Sequence, residues 1–350
     1  MPRPSRYLSV PLLTAAVWMA LPAMAQEWGE PEDGVKLERA ASPVTQIVPA
    51  EVIEQQAAQE YEQIKQEAIA KRALGNDTNP QLLRLRAIGK RLLPETTRWN
   101  PRARDWNWEI NLIGSKQINA FCMPGGKIAF YTGLLDQLNL TDDELAMAMG
   151  HEIAHALMEH ARQRAAKSEI ANLGANVVSQ LFGFGNLGNM ELGTDAHLLT
   201  LKFTRQDETE ADLVGMDLAA RAGYDPRAAV TLWQKMALAT GSPSEPKTAK
   251  PAGTKASAQA DGQGGSSEFL STHPSGRMRI AVLQRHLPEV LPLYARTLHT
   301  SVAELPAYRS NVPLAMPEDS GGAGAAEPDD DAAQSTKSGL VEQKRKRSRH

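Results

Sequence analysis

Apolar and charged positions change their spacing several times along the chain, and each change marks an element. From Glu51 to Leu74 apolar residues recur at Ile53, Ala57, Ile64 and Ala68, with Tyr61 between them and charge on the other face. That spacing predicts an amphipathic helix. Asn79-Pro80 opens a second helix, carrying Leu82, Leu85, Ile88 and Leu92 and stopping at Pro94. The period then shortens to two: Trp106, Trp108, Ile110 and Leu112 alternate with polar or small residues, as a strand does. Two more short strands are predicted near Ile118–Phe121 and Lys127–Tyr131, joined by a turn at Pro124-Gly125-Gly126. Thr141-Asp142-Asp143-Glu144 is a Thr-x-x-Glu capping box, and the helix it starts is predicted to run to about Ala166. A further helix is predicted over Glu208–Ala222, stopped by Gly223, and Asp225-Pro226 starts another.

Between these elements the composition shifts. Residues 26–48 are rich in Pro, Glu and Gly and read as an extended leader. Residues 241–267 are Gly, Ser, Ala, Lys and Pro with almost no large apolar residue, a flexible insertion. The tail over 313–350 is Gly-, Ala- and Asp-rich and is expected to be disordered. Its basic end, Lys344–Arg347, leaves two readings open, a solvated tail or a contact with anionic lipid. The globular part is therefore expected over 49–240 plus 268–312. Residues 170–200, apolar and Gly-rich, are read either as packing between two helices or as a flap that could touch a membrane.

Charge adds little to this picture. Thirty-eight Lys and Arg stand against 41 Asp and Glu, a net charge of −3 that gives no reason to expect nucleic acid as a partner. The amino terminus adds more. Arg3 and Arg6 precede an apolar stretch from Tyr7 to Leu21, and Ala23-Met24-Ala25 has the small-x-small form of a cleavage site. That is the layout of a bacterial secretory signal peptide over 1–25, cleaved near Ala25-Gln26, and it predicts a periplasmic protein. A retained anchor is disfavoured by the short apolar run and by Pro11 and Pro22. The single cysteine, Cys122, excludes an internal disulfide and reads as a buried thiol.

The chemistry sits in His151-Glu152-Ile153-Ala154-His155. Positions i and i+4 lie above one another on a helix, so both imidazoles can reach one zinc ion. Glu152, one residue on, is placed to act on a water there rather than to bind the metal. The surrounding Leu145, Ala146, Ala148, Met149, Leu157 predict a buried helix, on which two histidines and a glutamate need partners. One zincin pattern takes its third ligand six residues after the second histidine, but Ala161 stands there. His160, at five, is expected to point away from the pair. The other solution is a glutamate on a later helix, and Glu208 fits it. Asp212, four residues on, would then receive the free N–H of His151, while Glu210 reads as a surface acid. An acidic helix start favoured by the dipole explains the same segment without a metal. These elements predict an α+β protein, a zincin-type metalloprotease. It should be mostly helical, with a small antiparallel or mixed sheet beside the active-site helix.

Five ordered motifs resemble the HtpX-like gluzincin peptidases, metallopeptidase family forty-eight. They are Ile118–Ile128, Thr132-Gly133-Leu134-Leu135, His151-Glu152-x-x-His155, Glu208-x-x-x-Asp212, and Thr272-His273-Pro274 with Arg279. The resemblance spans about residues 50–310, the insertion excepted. It implies a zinc endopeptidase with one Zn2+ per chain, and it makes Asn119, Ala120 and Phe121 the sheet edge that pairs with substrate backbone. It places His273 near the metal, either stabilising a developing oxyanion or capping the zinc as a fourth ligand, with Arg279 as a second candidate catalytic group for that oxyanion. Exported members imply substrates among unfolded or misassembled envelope proteins, hence outer-membrane quality control. Outer-membrane assembly machinery is then an expected partner, and peripheral membrane contact is left open. No 34-residue period occurs, so the tetratricopeptide domain of the barrel-assembly-enhancing type is not expected. Two rival classes are a holdase-like factor for unfolded envelope proteins using the same cleft and edge strand, and a zinc-stabilised structural protein. The base Glu152 argues against the first, and the absence of cysteine ligands against the second.

Overall fold

A computed structural model describes residues 33–37, 48–167, 203–239, 273 and 277–311. The expected signal peptide, the 241–267 insertion, the 313–350 tail and the 170–200 segment lie outside them, as do Thr272 and Pro274. Helices α1 (Ala50–Ala70) and α2 (Pro80–Leu92) come first, followed by two 3-10 turns. The sheet is β1 (Glu109–Ile113), β2 (Ala120–Met123) and β3 (Lys127–Tyr131). Helices α3 (Thr132–Leu138), α4 (Asp142–Leu157) and α5 (His160–Lys167) follow it. Then come α6 (Arg205–Arg221), α7 (Ala228–Ala239) and α8 (Arg277–Thr297). Among the described residues no helix is long and apolar enough to cross a membrane.

The sheet is mixed. β3 is central, with β1 parallel to it and β2 antiparallel. The β2–β3 turn rests on Gly125 and Gly126, both at positive φ, where a side chain would be strained. β1 and β2 are the two edge strands of this sheet. Asn119 O accepts from Tyr131 N (3.0 Å), a register that directs the backbone groups of Ala120 and Cys122 outward. The Tyr61 hydroxyl donates to Ile128 O (2.5 Å) and ties α1 to the sheet.

Helix α4 is the centre of the molecule. Its capping box is formed, Thr141 Oγ1 accepting from Glu144 N (3.2 Å) and Glu144 Oε2 from Thr141 N (2.8 Å). Every residue from Glu144 to Leu157 is buried, as a helix enclosed on all sides requires. Glu144 is compensated: Lys235 Nζ donates to Oε2 (2.5 Å) and Thr231 Oγ1 to Oε1 (2.8 Å), which joins α4 to α7. Against α6, α4 packs backbone to backbone. A Cβ on Gly215 would lie 2.6 Å from His151 N, and one on Gly150 would lie 2.7 Å from Gly215 O. Only glycine admits that approach.

Three departures from expectation matter. The helix expected to continue to about Ala166 breaks after Leu157. Asn100 Nδ2 takes the carbonyl of Leu157 (3.0 Å) and Gln163 Nε2 that of Met158 (2.8 Å), and Glu159 turns the chain at a positive φ of 54°. Helix α6 starts earlier than Glu208, because Thr204 and Asp207 form a second capping box. Residues 33–37, inside the stretch read as leader, join the fold: Val35 is in the core and donates its N–H to Asp217 Oδ2 (3.2 Å).

Candidate metal centre

Four side chains from three places converge. Helix α4 supplies His151 and His155, one turn apart; the first turn of α6 supplies Glu208; the segment before α8 supplies His273. All four are buried, and each offers one ligand atom within 4.8 Å of the others. His151 Nε2 lies 3.1 Å from His155 Nε2 and 3.2 Å from His273 Nδ1. Glu208 Oε1 lies 2.9 Å from His273 Nδ1 and 3.6 Å from His155 Nε2, and Oε2 lies 3.6 Å from His151 Nε2. A tetrahedral ion held at about 2.0–2.1 Å sets its ligand atoms roughly 3.3 Å apart. The separations fit that edge length, and three imidazole nitrogens with one carboxylate oxygen form a suitable donor set.

The protonation states of His151, His155 and Glu208 suit a cation. Burial, with the positive charge of Arg279, holds His151 down to about 4. Burial and the neighbouring His151 hold His155 well below its usual value. Both are neutral at neutral pH, as metal-binding imidazoles must be. Burial alone would raise Glu208, but His273 and Arg279 outweigh it and bring it to about 2. His273 moves the other way: burial lowers it, but Glu208 and Glu152 prevail and raise it.

Glu152 stands apart from this pairing. Its Oε1 is buried without a hydrogen-bond partner and lies 3.6 Å from His273 Nε2. Burial, reinforced by the charge of Glu208, pushes its carboxyl up to about 7. A buried, partnerless carboxylate oxygen facing a cluster of ligands is a group for which the protein alone supplies no use.

Around the cluster, Asp212 Oδ1 lies 3.1 Å from His151 Nδ1. Arg279 donates through NH1 to Glu208 Oε2 (2.8 Å), through NH2 to Asp212 Oδ1 (2.7 Å), and through Nε to Asp212 Oδ2. Its guanidinium lies 3.3 Å from the ring centre of Trp233. Arg279 thus clamps Glu208 and Asp212, two carboxylates of α6. Of the expected substrate edge, Ala120 and Phe121 lie in β2 and Asn119 just before it. Asn119 Oδ1 accepts from Ala120 N (2.9 Å), and the Phe121 ring packs edge-on against Tyr61 and Tyr131.

Two readings of single residues are overturned. His160 does not point away: its Nδ1 lies 2.9 Å from His155 Nδ1. The break at Glu159 re-aims it. Glu210 is not a surface acid; it is buried, and its Oε2 lies 3.2 Å from His160 Nε2. Two aromatic residues carried no signal in the sequence: Phe203, stacked on His155 with ring centres 3.9 Å apart, and Trp233 under Arg279. Each meets the site only through tertiary packing.

The chain also resembles known proteins. The pattern of Peptidase family M48 matches residues 81–287. The mitochondrial metalloendopeptidase OMA1 of Arabidopsis thaliana is 33% identical over 190 residues, covering 54% of this chain and 34% of the relative. In Escherichia coli K12, the metalloprotease LoiP is 32% identical over 129 residues (35% of this chain, 49% of the relative). The β-barrel assembly-enhancing protease of the same bacterium is 26% identical over 196 residues (53% and 36%). The chain thus spans between about a third and a half of these relatives' lengths.

Proposed function

The chain belongs to peptidase family M48, and from that premise we propose that it is a zinc-dependent endopeptidase, with His151, His155 and Glu208 as ligands and Glu152 as general base. One observation carries the reading: four convergent donor atoms meet a buried carboxylate oxygen that has no hydrogen-bond partner. Nitrogen and oxygen donors at tetrahedral spacing, with no thiolate, suit zinc. When bound, zinc would polarise a scissile carbonyl and acidify a water.

The chain's own residues supply the rest. Glu152 Oε1, held to about 7, can take a proton near neutral pH and return it to the leaving amine nitrogen. Asp212 accepts the Nδ1–H of His151 and leaves its Nε2 lone pair facing the cluster. Arg279 balances the charge of Glu208 and Asp212 and fixes both. Phe203 covers one face of His155 and keeps water from it. His273 offers a fourth donor atom, and with a metal bound to all four groups the site would be closed at rest. A catalytic zinc would keep one position open, so His273 would have to leave such a closed site before substrate could be cleaved. Once displaced, its ring can donate to a developing oxyanion.

Substrates enter the reading through β2. An edge strand with outward backbone groups recognises an extended chain without reading much of its sequence, which suits unfolded or misassembled proteins. The signal-like first 25 residues and the two bacterial relatives, one named for enhancing β-barrel assembly, favour the periplasm and outer-membrane quality control. Assembly machinery of the outer membrane is the corresponding partner. The closure by His273 also favours a second reading, a holdase that binds unfolded chains without cleaving them.

Casein cleavage by the full chain decides between these readings. Cleavage should stop with a chelator and return with zinc. A chain that binds casein and zinc but never cleaves it, even after His273→Ala, would overturn the protease reading in favour of the holdase.

A further inference from the structure

His155 has two ring nitrogens, and only Nε2 faces the ligand cluster. Its Nδ1 lies 2.9 Å from Nδ1 of His160, and Nε2 of His160 lies 3.2 Å from Glu210 Oε2. Gln206 Nε2 donates to the other oxygen of Glu210 (3.0 Å), and both His160 and Glu210 are buried. Proton placement along this line has one consistent solution. A metal-facing Nε2 must carry a lone pair, so the His155 proton sits on Nδ1. That proton needs an acceptor, so His160 Nδ1 is bare. The His160 proton therefore sits on Nε2, where a carboxylate oxygen receives it. Each nitrogen then has one role.

We propose that His160 and Glu210 form a positioning relay that fixes the tautomer and orientation of His155. The inference rests on the metal-site reading above. It makes the two helical ligands symmetrical in logic and different in construction. His151 is oriented directly by the carboxylate of Asp212 (3.1 Å), whereas His155 is oriented by Glu210 through an intervening imidazole. The break between α4 and α5 makes the second arrangement possible. On an unbroken helix a side chain five residues after His155 would project from a different face. Glu208, Asp212 and Glu210 all lie on α6, so one short helical segment supplies a ligand and the orienting carboxylates of both histidines.

Zinc affinity of the full chain, measured by competition with a chromophoric chelator, tests the relay without reference to activity. His160→Phe keeps a ring but removes the acceptor and should weaken zinc binding about 10–100-fold. His160→Asn restores an acceptor oxygen near the Nδ1 position and should recover most of that loss. Glu210→Gln, isosteric but uncharged, should fall between them. The cobalt-substituted chain adds a signature, a changed visible spectrum in His160→Phe that a purely structural role would not give. Wild-type affinity in a folded His160→Phe chain would overturn the relay, as would equal losses in the Phe and Asn variants. If His160→Phe does not fold, Glu210→Gln decides, and unchanged affinity there overturns the relay. Absence of zinc binding by the wild-type chain would instead sink the metal-site reading itself.

Discussion

Gly215→Ala tests how the site is assembled. The added Cβ would lie 2.6 Å from His151 N, 2.8 Å from Gly150 C and 3.0 Å from His151 Cα. These are main-chain atoms of α4, so no change of rotamer relieves the contact. An ordinary carbon contact begins near 3.4 Å, so α4 and α6 must part by about 0.8 Å at their crossing. Overpacking costs about 1–3 kcal/mol, and a clash with main-chain atoms belongs at the upper end, about 2–3 kcal/mol, against which alanine's helix propensity returns about 1 kcal/mol. The expected net loss is about 1–2 kcal/mol, or a melting temperature lower by several degrees. The effect on chemistry should be larger than that on stability. His151 sits on one side of the crossing, with Glu208 and Asp212 on the other, and a misplacement near 1 Å can cost about 100-fold in rate. Thermal melts, zinc content and casein cleavage of the variant would check both magnitudes. Gly150→Ala presses on the same contact, so the double variant should lose less than the sum of the single losses. A Gly215→Ala chain with wild-type melting and cleavage would refute this account of the helix crossing.

Three further outcomes follow from the same geometry. His273→Ala should raise casein cleavage by opening the fourth position, and a loss of cleavage would refute the closed resting state. Lys235→Ala leaves the carboxylate of Glu144 buried without its cation and should cost about 3–5 kcal/mol in urea unfolding, whereas a loss under 1 kcal/mol would contradict the pairing. The chelated chain should lose stability as pH falls from 6.5 to 4.5. His151 and His155 stay neutral when folded and protonate when unfolded, while Glu152, held to about 7, does the reverse. His273, raised in the folded chain, offsets part of this near pH 6.5 and drops out by about pH 5.5, where the unfolded chain gains one net proton, worth about 1.4 kcal/mol per pH unit. A stability that is flat or rises on acidification over that window would contradict the assignment.

What could be read from the sequence was local. The Thr141–Glu144 box, the buried face of α4 and the i, i+4 pair at His151 and His155 are encoded within a few residues of one another, so spacing alone located the helix and its two candidate ligands. The short strands and the glycine turn between β2 and β3 were legible locally, whereas the edge position of β2 came from the family resemblance and the sheet was left as antiparallel or mixed. What escaped was decided by neighbours distant in sequence. The break after Leu157 depends on Asn100, some 57 residues away, so nothing in the helical pattern announced it. His160 and Glu210 were misread for that reason. Phe203, Trp233 and the clamping geometry of Arg279 are products of tertiary packing. Val35 looked like leader because its partner, Asp217, lies 182 residues on.

The central claim concerns Glu152 beside a bound metal, and a Glu152→Gln chain tests it most directly. Gln keeps the shape of the side chain and removes the base. Zinc per chain and casein cleavage should be measured together for this variant and for the wild type. The account predicts about one zinc in each, with cleavage by the wild type alone. Cleavage by the variant at the wild-type rate, or no zinc in either chain, would contradict it.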